Sequence, residues 1–225
     1  MKKDKKLIQQ YDNFSDTFSV SQVDYNRKSN KKYFEFINQL NLENKKILDL
    51  GCGDGTELEK FESRGSLVGG VDSSCELVEI AKEKGLDVTL GSFEKMKFKN
   101  NFFDVVTSKY ALQTVHHLEK TYDEVNRVLK KGGIFYFMVV HPFRQFIEKK
   151  DKKANYFEKT VVNSVLFDGT ITVEEPTHTM SEYINSKVLE NFDLVVHEEG
   201  EDFISAEQIE GKRYPTYLII GLKKK

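Results

Sequence analysis

The chain has 225 residues, which is enough for one domain with a sizeable hydrophobic core. Its 34 basic and 36 acidic side chains leave a formal net charge of −2, so no global basic field attracts nucleic acid. No apolar run approaches the roughly 20 residues that span a bilayer, and the lysine-rich start lacks the apolar core of a signal peptide. We therefore expect a single domain over residues 1–225 that binds neither nucleic acid nor membrane.

Metal binding and disulfide formation are not predicted. The two cysteines, Cys52 and Cys75, have no metal-ligand spacing. The adjacent pair His116-His117 makes a poor metal site, because neighbouring side chains point in different directions on a helix. We expect a cytoplasmic, reduced protein without a metal. The sequence does not separate a monomer from a homodimer.

A glycine-rich loop organises the first half of the chain. The apolar run Ile47–Leu50 is followed by three glycines in GxGxG spacing and then by a helical pattern at Glu57–Arg64. This predicts a buried strand, a tight turn and a helix. Glycines at such a turn let backbone N–H groups approach a ligand closely. A plain strand-to-helix turn is the alternative, but one glycine suffices for that.

The spacing of these glycines separates classes of ligand. A dinucleotide fold prefers GxGxxG, whereas Thr56 stands at the sixth position here, which argues against an NAD-linked oxidoreductase. The run Leu48–Gly55 (LDLGCGDG) resembles motif I of the class I S-adenosylmethionine (SAM)-dependent methyltransferases. In that family the loop wraps the amino-acid part of SAM. The resemblance implies cofactor-binding roles for Asp49, Gly51, Cys52, Gly53 and Gly55.

An acidic residue follows at the spacing that ribose recognition needs. Leu67–Asp72 reads as a second strand, and Asp72 lies 19 positions past Gly53. In a Rossmann-like unit such a carboxylate accepts hydrogen bonds from ribose hydroxyls. Asp72 could instead cap the helix predicted at Cys75–Lys84. We favour the ribose role and place the next residue, Ser73, beside it.

The stretch after the third strand, Leu86–Gly91, resembles the family pattern around the adenine pocket. The resemblance implies that Ser92, Phe93 and Glu94 lie near the adenine. The family usually has an aspartate that bonds the adenine amino group where this chain has Ser92. A hydroxyl can accept that bond, but as a neutral and weaker partner.

The fourth strand, Asp104–Ser108, leads into the crevice where ligands bind in such sheets. We assign Ser108 and Lys109 to the cofactor and Tyr110 to the acceptor. DNA adenine methyltransferases carry an Asp/Asn-Pro-Pro-aromatic motif here, and this chain lacks it.

Histidines supply the candidate general bases, because histidine titrates near neutral pH. His116 and His117 precede a helix predicted at Leu118–Lys130 and ended by Lys131–Gly133, and a structural or capping role is the alternative for both. The fifth strand, Ile134–Val140, ends in His141-Pro142, a pattern similar to small-molecule enzymes of the methyltransferase-11 type. Arg144 follows and could bind an acceptor carboxylate.

Two segments are predicted to border the acceptor. Val161–Phe167 and Thr170–Glu174, joined by Asp168-Gly169, form a hairpin within an insertion at 146–180. His178 follows and leads into a helix predicted at Glu182–Glu190; by its resemblance to the same subgroup it lines the acceptor pocket. Residues 1–44 contain an aromatic segment with Tyr11 and Tyr25 that we interpret as a lid. Packing of these aromatics on the sheet is the alternative.

The resemblance implies a Rossmann-like, doubly wound α/β fold. Its seven-stranded sheet has the order 3-2-1-4-5-7-6, the last strand is antiparallel, and a β-hairpin is inserted after strand five. Phe192–Glu198 and Pro215–Leu222 supply the last two strands. The implied activity is transfer of a methyl group from SAM to an oxygen or nitrogen of a small molecule, releasing S-adenosylhomocysteine (SAH). The alternatives are a SAM-binding protein with other chemistry and a SAM-sensing regulator.

Overall fold

The computed structural model describes residues 9–18, 27–151, 153–167, 169–202 and 211–225. Tyr25 and Asp168, which carry predictions, lie outside these ranges. The described residues form nine strands. In chain order they are β1 (Lys46–Leu50), β2 (Leu67–Asp72), β3 (Val88–Leu90), β4 (Phe103–Lys109), β5 (Leu129–Val140), β6 (Val161–Leu166), β7 (Ile171–Pro176), β8 (Phe192–Gly200) and β9 (Tyr217–Lys224).

Helices connect these strands. Those with assigned bounds in the described chain are α1 (Arg27–Gln39), α2 (Thr56–Glu62), α3 (Cys75–Glu83), α4 (Leu118–Val128), α5 (Pro142–Glu148), α6 (Met180–Tyr183), α7 (Ser186–Asn191) and a 3₁₀ turn at Leu112–Thr114. Residues 9–13 and 15–18 are also helical. Within the described ranges, no helix combines the length and the apolar character needed to cross a bilayer.

The main sheet has the order β3-β2-β1-β4-β5-β9-β8. Strand β9 runs antiparallel to both of its neighbours, whereas β1 to β5 pair in parallel. Strands β6 and β7 form a separate antiparallel hairpin. The predicted order 3-2-1-4-5-7-6 is therefore confirmed, since β8 and β9 are the sixth and seventh strands of the main sheet. The order reverses between β1 and β4, which opens a crevice at their carboxyl ends.

Both faces of the central strands of the sheet are buried. Alternation along β1 sends Leu48 to one face, where it packs with Val106 and Phe137 beneath α4. Ile47 points to the other face, where Tyr136 packs under α1 and α2. Because helices cover both faces, the strand ends at the crevice are left to carry functional groups.

Two predicted helices differ from the structure. The helix predicted at Leu118–Lys130 ends at Val128, because Leu129 already pairs with Phe103 as the first residue of β5. Lys131–Gly133 consequently lies inside β5 and does not end the helix.

The helix predicted at Glu182–Glu190 is divided into α6 and α7. The side-chain oxygen of Asn185 accepts the N–H of Val188 at 3.0 Å, so that Asn185 starts a new helix. An asparagine at this position competes with the backbone hydrogen bonds that a continuous helix would need.

Candidate functional site

The glycine loop after β1 is built from left-handed backbone. Gly51, Gly53 and Gly55 have φ values of 71°, 53° and 81°. This region is strained for residues with a side chain, which explains three glycines in five positions. A Cβ atom would overlap Ala111 at Gly51 and Leu86 at Gly55. At Gly53 its nearest neighbour would be Leu77 Cδ1 at 4.0 Å, so Gly53 borders open space.

The carboxylate of Asp72 joins this loop to the end of β2. Its Oδ2 accepts the N–H of Gly53 and its Oδ1 accepts the N–H of Ser74, both at 2.8 Å. Burial raises the pKa of Asp72, and these backbone N–H groups oppose the shift. Each carboxylate oxygen keeps a lone pair for a further donor. Asp72 therefore positions the loop and can also accept bonds from a ligand.

A cleft opens beside this unit at the carboxyl ends of β1 and β4. It lies at the point where the strand order reverses, which is where ligands bind in such sheets. The lining side chains and glycines come from several elements. They are Tyr11, Phe18, Asp49, Gly51, Cys52, Gly53, Asp54, Glu57, Asp72, Ser73, Leu77, Phe93, Lys109, Tyr110, Ala111 and Thr114.

Buried charges lie on the wall between β1, α2 and β4. Thr107 Oγ1 donates to Asp49 Oδ1 at 2.7 Å, and burial raises the pKa of Asp49 to about 7. Lys109 Nζ lies 2.5 Å from Glu57 Oε1 and 3.1 Å from Asn30 Oδ1. Burial alone would raise the pKa of Glu57, but the Lys109 ammonium brings it below its usual range. The wall thus offers a carboxyl and an ammonium to one ligand.

Some residues predicted to bind the cofactor lie elsewhere. Ser108 is buried and donates to the backbone oxygen of Leu50 at 2.8 Å. Ser92 is exposed, and its hydroxyl accepts the N–H of Glu94 at 3.2 Å. Ser92, Ser108 and Glu94 do not line the cleft.

Residues 9–18, which we call the strap, lie across the cleft. Asp12 Oδ1 accepts a hydrogen bond from Ser74 Oγ at 2.6 Å on the α3 side. On the hairpin side the Gln10 amide exchanges two hydrogen bonds with the backbone of Glu174, at 2.8 and 2.9 Å. Phe18 packs edge-on against Phe167 of the hairpin. The strap therefore bridges both sides and brings Tyr11 and Phe18 into the cleft lining.

Tyr110 occupies the crevice at the end of β4. Its φ of 53° is uncommon for a residue with a bulky side chain, and its N–H donates to Met138 at 2.7 Å. Burial raises the pKa of its hydroxyl, so Tyr110 stays neutral at physiological pH. A strained backbone at a ligand crevice often marks a functional position.

The predicted histidines lie outside the cleft lining. His141 caps α5 by accepting the N–H of Phe143 at Nδ1, and its Nε2 lies 2.8 Å from Glu199 Oε1, so both ring nitrogens are engaged. His117 is exposed at the start of α4 and makes no capping bond through its side chain. His178 is buried, with Nδ1 3.5 Å from Glu182.

Arg144 is committed to structural partners. Its Nε lies 3.0 Å from Glu148 Oε1, and its NH2 group donates to the backbone oxygen of Val165 at 3.2 Å. The described part of the chain brings together no group of three or more His, Cys, Asp or Glu side chains suited to a metal.

Sequence reasoning missed several polar residues of this region, and two of them are buried acids. Glu57 forms the ion pair with Lys109. Its position in the sequence, two residues after Gly55, could have indicated a place near the glycine loop. Glu175 is buried in β7 below the strap. It follows Ile171 and Val173 on the apolar face of a predicted strand, where an acid is unexpected.

The strand order and the glycine loop at the crevice define a class I methyltransferase fold. Residues 48–137 match the methyltransferase-11 family model, described as a methyltransferase domain. A structure of an S-adenosylmethionine dependent methyltransferase from Mesorhizobium loti aligns with a TM-score of 0.67 at 20% identity, over 84% of this chain and 95% of that chain. Residues 48–137 thus match a methyltransferase domain of this class, in which SAM is the cofactor and SAH the product.

Two curated relatives match this chain over part of their own length. An uncharacterized protein of Methanocaldococcus jannaschii is 31% identical over 159 residues, which cover 66% of this chain and 62% of that protein. A demethylmenaquinone methyltransferase of Thermobifida fusca is 34% identical over 94 residues, which cover 39% of this chain and 40% of that protein. The matches thus span about two fifths to three fifths of the relatives' own lengths.

Proposed function

We propose that the protein transfers a methyl group from SAM to an oxygen or nitrogen of a small molecule and releases SAH. The observation that carries this proposal is the bond between Asp72 and Gly53, because both residues line the cleft at the carboxyl ends of β1 and β4. It places a ribose-type carboxylate next to a loop that a ligand can approach. We further propose that residues 1–225 act as one domain, in which the strap and the hairpin border the acceptor.

The cleft offers a partner for each part of SAM. Asp72 and Ser73 suit the ribose hydroxyls, and Phe93 with Leu77 supplies apolar surface for the adenine. The carboxyl of Asp49 suits the methionine ammonium, and the ammonium of Lys109 suits the methionine carboxylate. Gly51, Cys52, Gly53 and Gly55 shape the loop between them. Ser108 supports this arrangement by donating to the backbone oxygen of Leu50 at the end of β1.

The reaction needs alignment more than activation. The acceptor lone pair forms a bond to the methyl carbon while the S–CH₃ bond breaks and its electrons return to sulfur. The chain holds donor and acceptor in line, and the strap excludes water. Tyr110 lines the cleft and could orient the acceptor. Where the acceptor carries a proton, His178 remains a candidate base, whereas the contacts of His141 favour a structural role.

Calorimetric titration tests the cofactor part of the proposal. We expect the wild-type protein to bind SAH and SAM and to show no comparable affinity for NAD. Asp72→Ala should weaken SAH by about 10-fold or more, because a charged acceptor for hydroxyl groups is lost. Asp87→Ala alters an exposed aspartate near β3 and serves as the matched control. Binding of NAD in preference to SAH would contradict the proposal.

Turnover is tested separately. A metabolite mixture incubated with methyl-labelled SAM should yield a labelled small molecule in amounts proportional to the protein. A protein that binds SAH tightly but labels no compound would favour the sensing alternative.

A further inference from the structure

A buried polar cluster lies between the hairpin and α5, on the acceptor side of the strap. Ser164 Oγ lies 2.8 Å from Glu175 Oε2 and 2.9 Å from Glu148 Oε2. Arg144 Nε lies 3.0 Å from the other oxygen of Glu148. Ser164 is fully buried, and Glu175 is only 1% exposed. These groups therefore have to satisfy each other without bulk water.

Counting hydrogens assigns a proton within the cluster. The Ser164 hydroxyl has one hydrogen, yet it bridges two carboxylate oxygens at hydrogen-bond distance. One of the two contacts must be donated by a carboxylic acid. The Arg144 guanidinium pairs with Glu148, so we place the proton on Glu175. Burial and the Glu148 charge raise the pKa of Glu175, in agreement with this assignment.

Gln113 presents an unsatisfied acceptor next to Glu175. Its Nε2 donates to Glu175 Oε1 at 3.2 Å and to the backbone oxygen of Tyr110 at 2.9 Å. Both partners accept, which fixes the orientation of the amide. Gln113 is 2% exposed, and its Oε1 is buried without a hydrogen-bond partner among the described residues. A buried acceptor in this state favours a ligand that brings an N–H or O–H donor.

The cluster adjoins the cleft. Tyr110, Ala111 and Thr114, on either side of Gln113 in sequence, all line it. Tyr11 of the strap also lines the cleft. Burial raises the pKa of Tyr11, and the negative charges of Glu175 and Asp72 raise it further. Tyr11 therefore lies within electrostatic reach of both the cofactor-side carboxylate and Glu175.

We propose that Glu175 and Gln113 form the part of the acceptor site that binds a protonated amine, so that the acceptor class is an amine on an apolar or aromatic frame. This inference rests on the proposed methyl transfer. An ammonium offers one hydrogen to Gln113 Oε1 and another to Glu175, which has released its proton, and the Ser164 hydroxyl then donates to only one of its two carboxylate neighbours. For methyl transfer the ammonium passes a proton to the Glu175 carboxylate, which frees the lone pair of the nitrogen. The Arg144–Glu148 pair and the new ammonium–carboxylate pair are then both neutral.

Three probes that share a phenyl ring on a two-carbon chain test the proposal in the presence of saturating SAH. They are 2-phenylethylamine, 2-phenylethanol and 3-phenylpropionate, which end in a cation, a neutral group and an anion. Calorimetry of the wild-type protein should show the amine binding about 10-fold or more tightly than the acid. The enthalpy should also depend on the buffer in the way that proton release requires.

Matched variants locate the effect. Glu175→Gln should abolish both the amine preference and the proton release, while Glu174→Gln, one position along β7 and facing the other way, should retain both. If Glu175→Gln fails to fold, Gln113→Met should still lower amine affinity several-fold. Wild-type protein that binds SAH but prefers the acid, or binds no amine at millimolar concentrations, overturns this inference alone. Wild-type protein that does not bind SAH contradicts the proposed function instead.

Discussion

The Asp72 carboxylate accepts the Gly53 N–H at 2.8 Å, so the end of β2 and the loop after β1 are one hydrogen-bonded unit. Asp72 shapes the loop before any ligand arrives, and the same carboxylate faces the cleft. Loss of Asp72 should therefore lower both stability and affinity. Measuring the two quantities separately is necessary in every variant of this loop.

Two of the loop glycines should respond differently to alanine. Gly53→Ala should weaken SAH at least about 10-fold, because its methyl group projects into the space beside the ligand, where Leu77 lies 4.0 Å away. Gly51→Ala should impair folding itself, since its Cβ would overlap Ala111.

Gly85→Ala is the matched control for Gly53→Ala. Gly85 has a φ of 83°, and its added Cβ would meet nothing within 4 Å. Both variants should lose about 1–2 kcal/mol of unfolding free energy from backbone strain. Only Gly53→Ala should lose affinity in calorimetry, and equal SAH affinity in both folded variants would show that the ligand does not approach this loop.

Asp49 should make stability depend on pH. Its pKa is raised from 3.8 to about 7 in the folded protein, so folding takes up a proton between these values. The stabilisation is complete below about pH 4 and is lost as the pH rises through about 7. Asp49→Asn removes this titration. The stability of the variant relative to wild type should increase by on the order of 2 kcal/mol between about pH 5 and pH 8.

Urea unfolding at the two pH values measures this difference. Glu175 also has a raised pKa, but it titrates in both proteins and cancels in the comparison. A difference that stays constant with pH would mean that Asp49 is ionised throughout.

The parts of the site that the sequence predicts are local in the chain. The strand, the glycines and Asp72 lie within 27 residues, from Lys46 to Asp72, and strand periodicity with fixed spacing defines them. The contact between Gln113 and Glu175 joins residues 62 positions apart and depends on how the hairpin docks. No local pattern encodes that docking. His141 illustrates the same limit, because its partner Glu199 belongs to β8.

The strap should control release of the cofactor. Asp12 accepts the Ser74 hydroxyl at 2.6 Å and so ties the strap to the start of α3, next to the proposed ribose site. Asp12→Ala should raise the dissociation rate of SAH by about 10-fold, because a charged hydrogen bond that holds the closed strap is lost. Stopped-flow displacement of SAH by excess SAM measures this rate.

Asp16→Ala provides the control, since Asp16 is exposed on the same strap. Its dissociation rate should stay within two-fold of wild type. The unfolding free energy of both variants should change little, because the strap contributes few buried contacts to the main sheet. Equal dissociation rates in Asp12→Ala and wild type would show that the strap does not retain the cofactor. In that case the strap would contact only the acceptor, through Tyr11 and Phe18, which line the cleft.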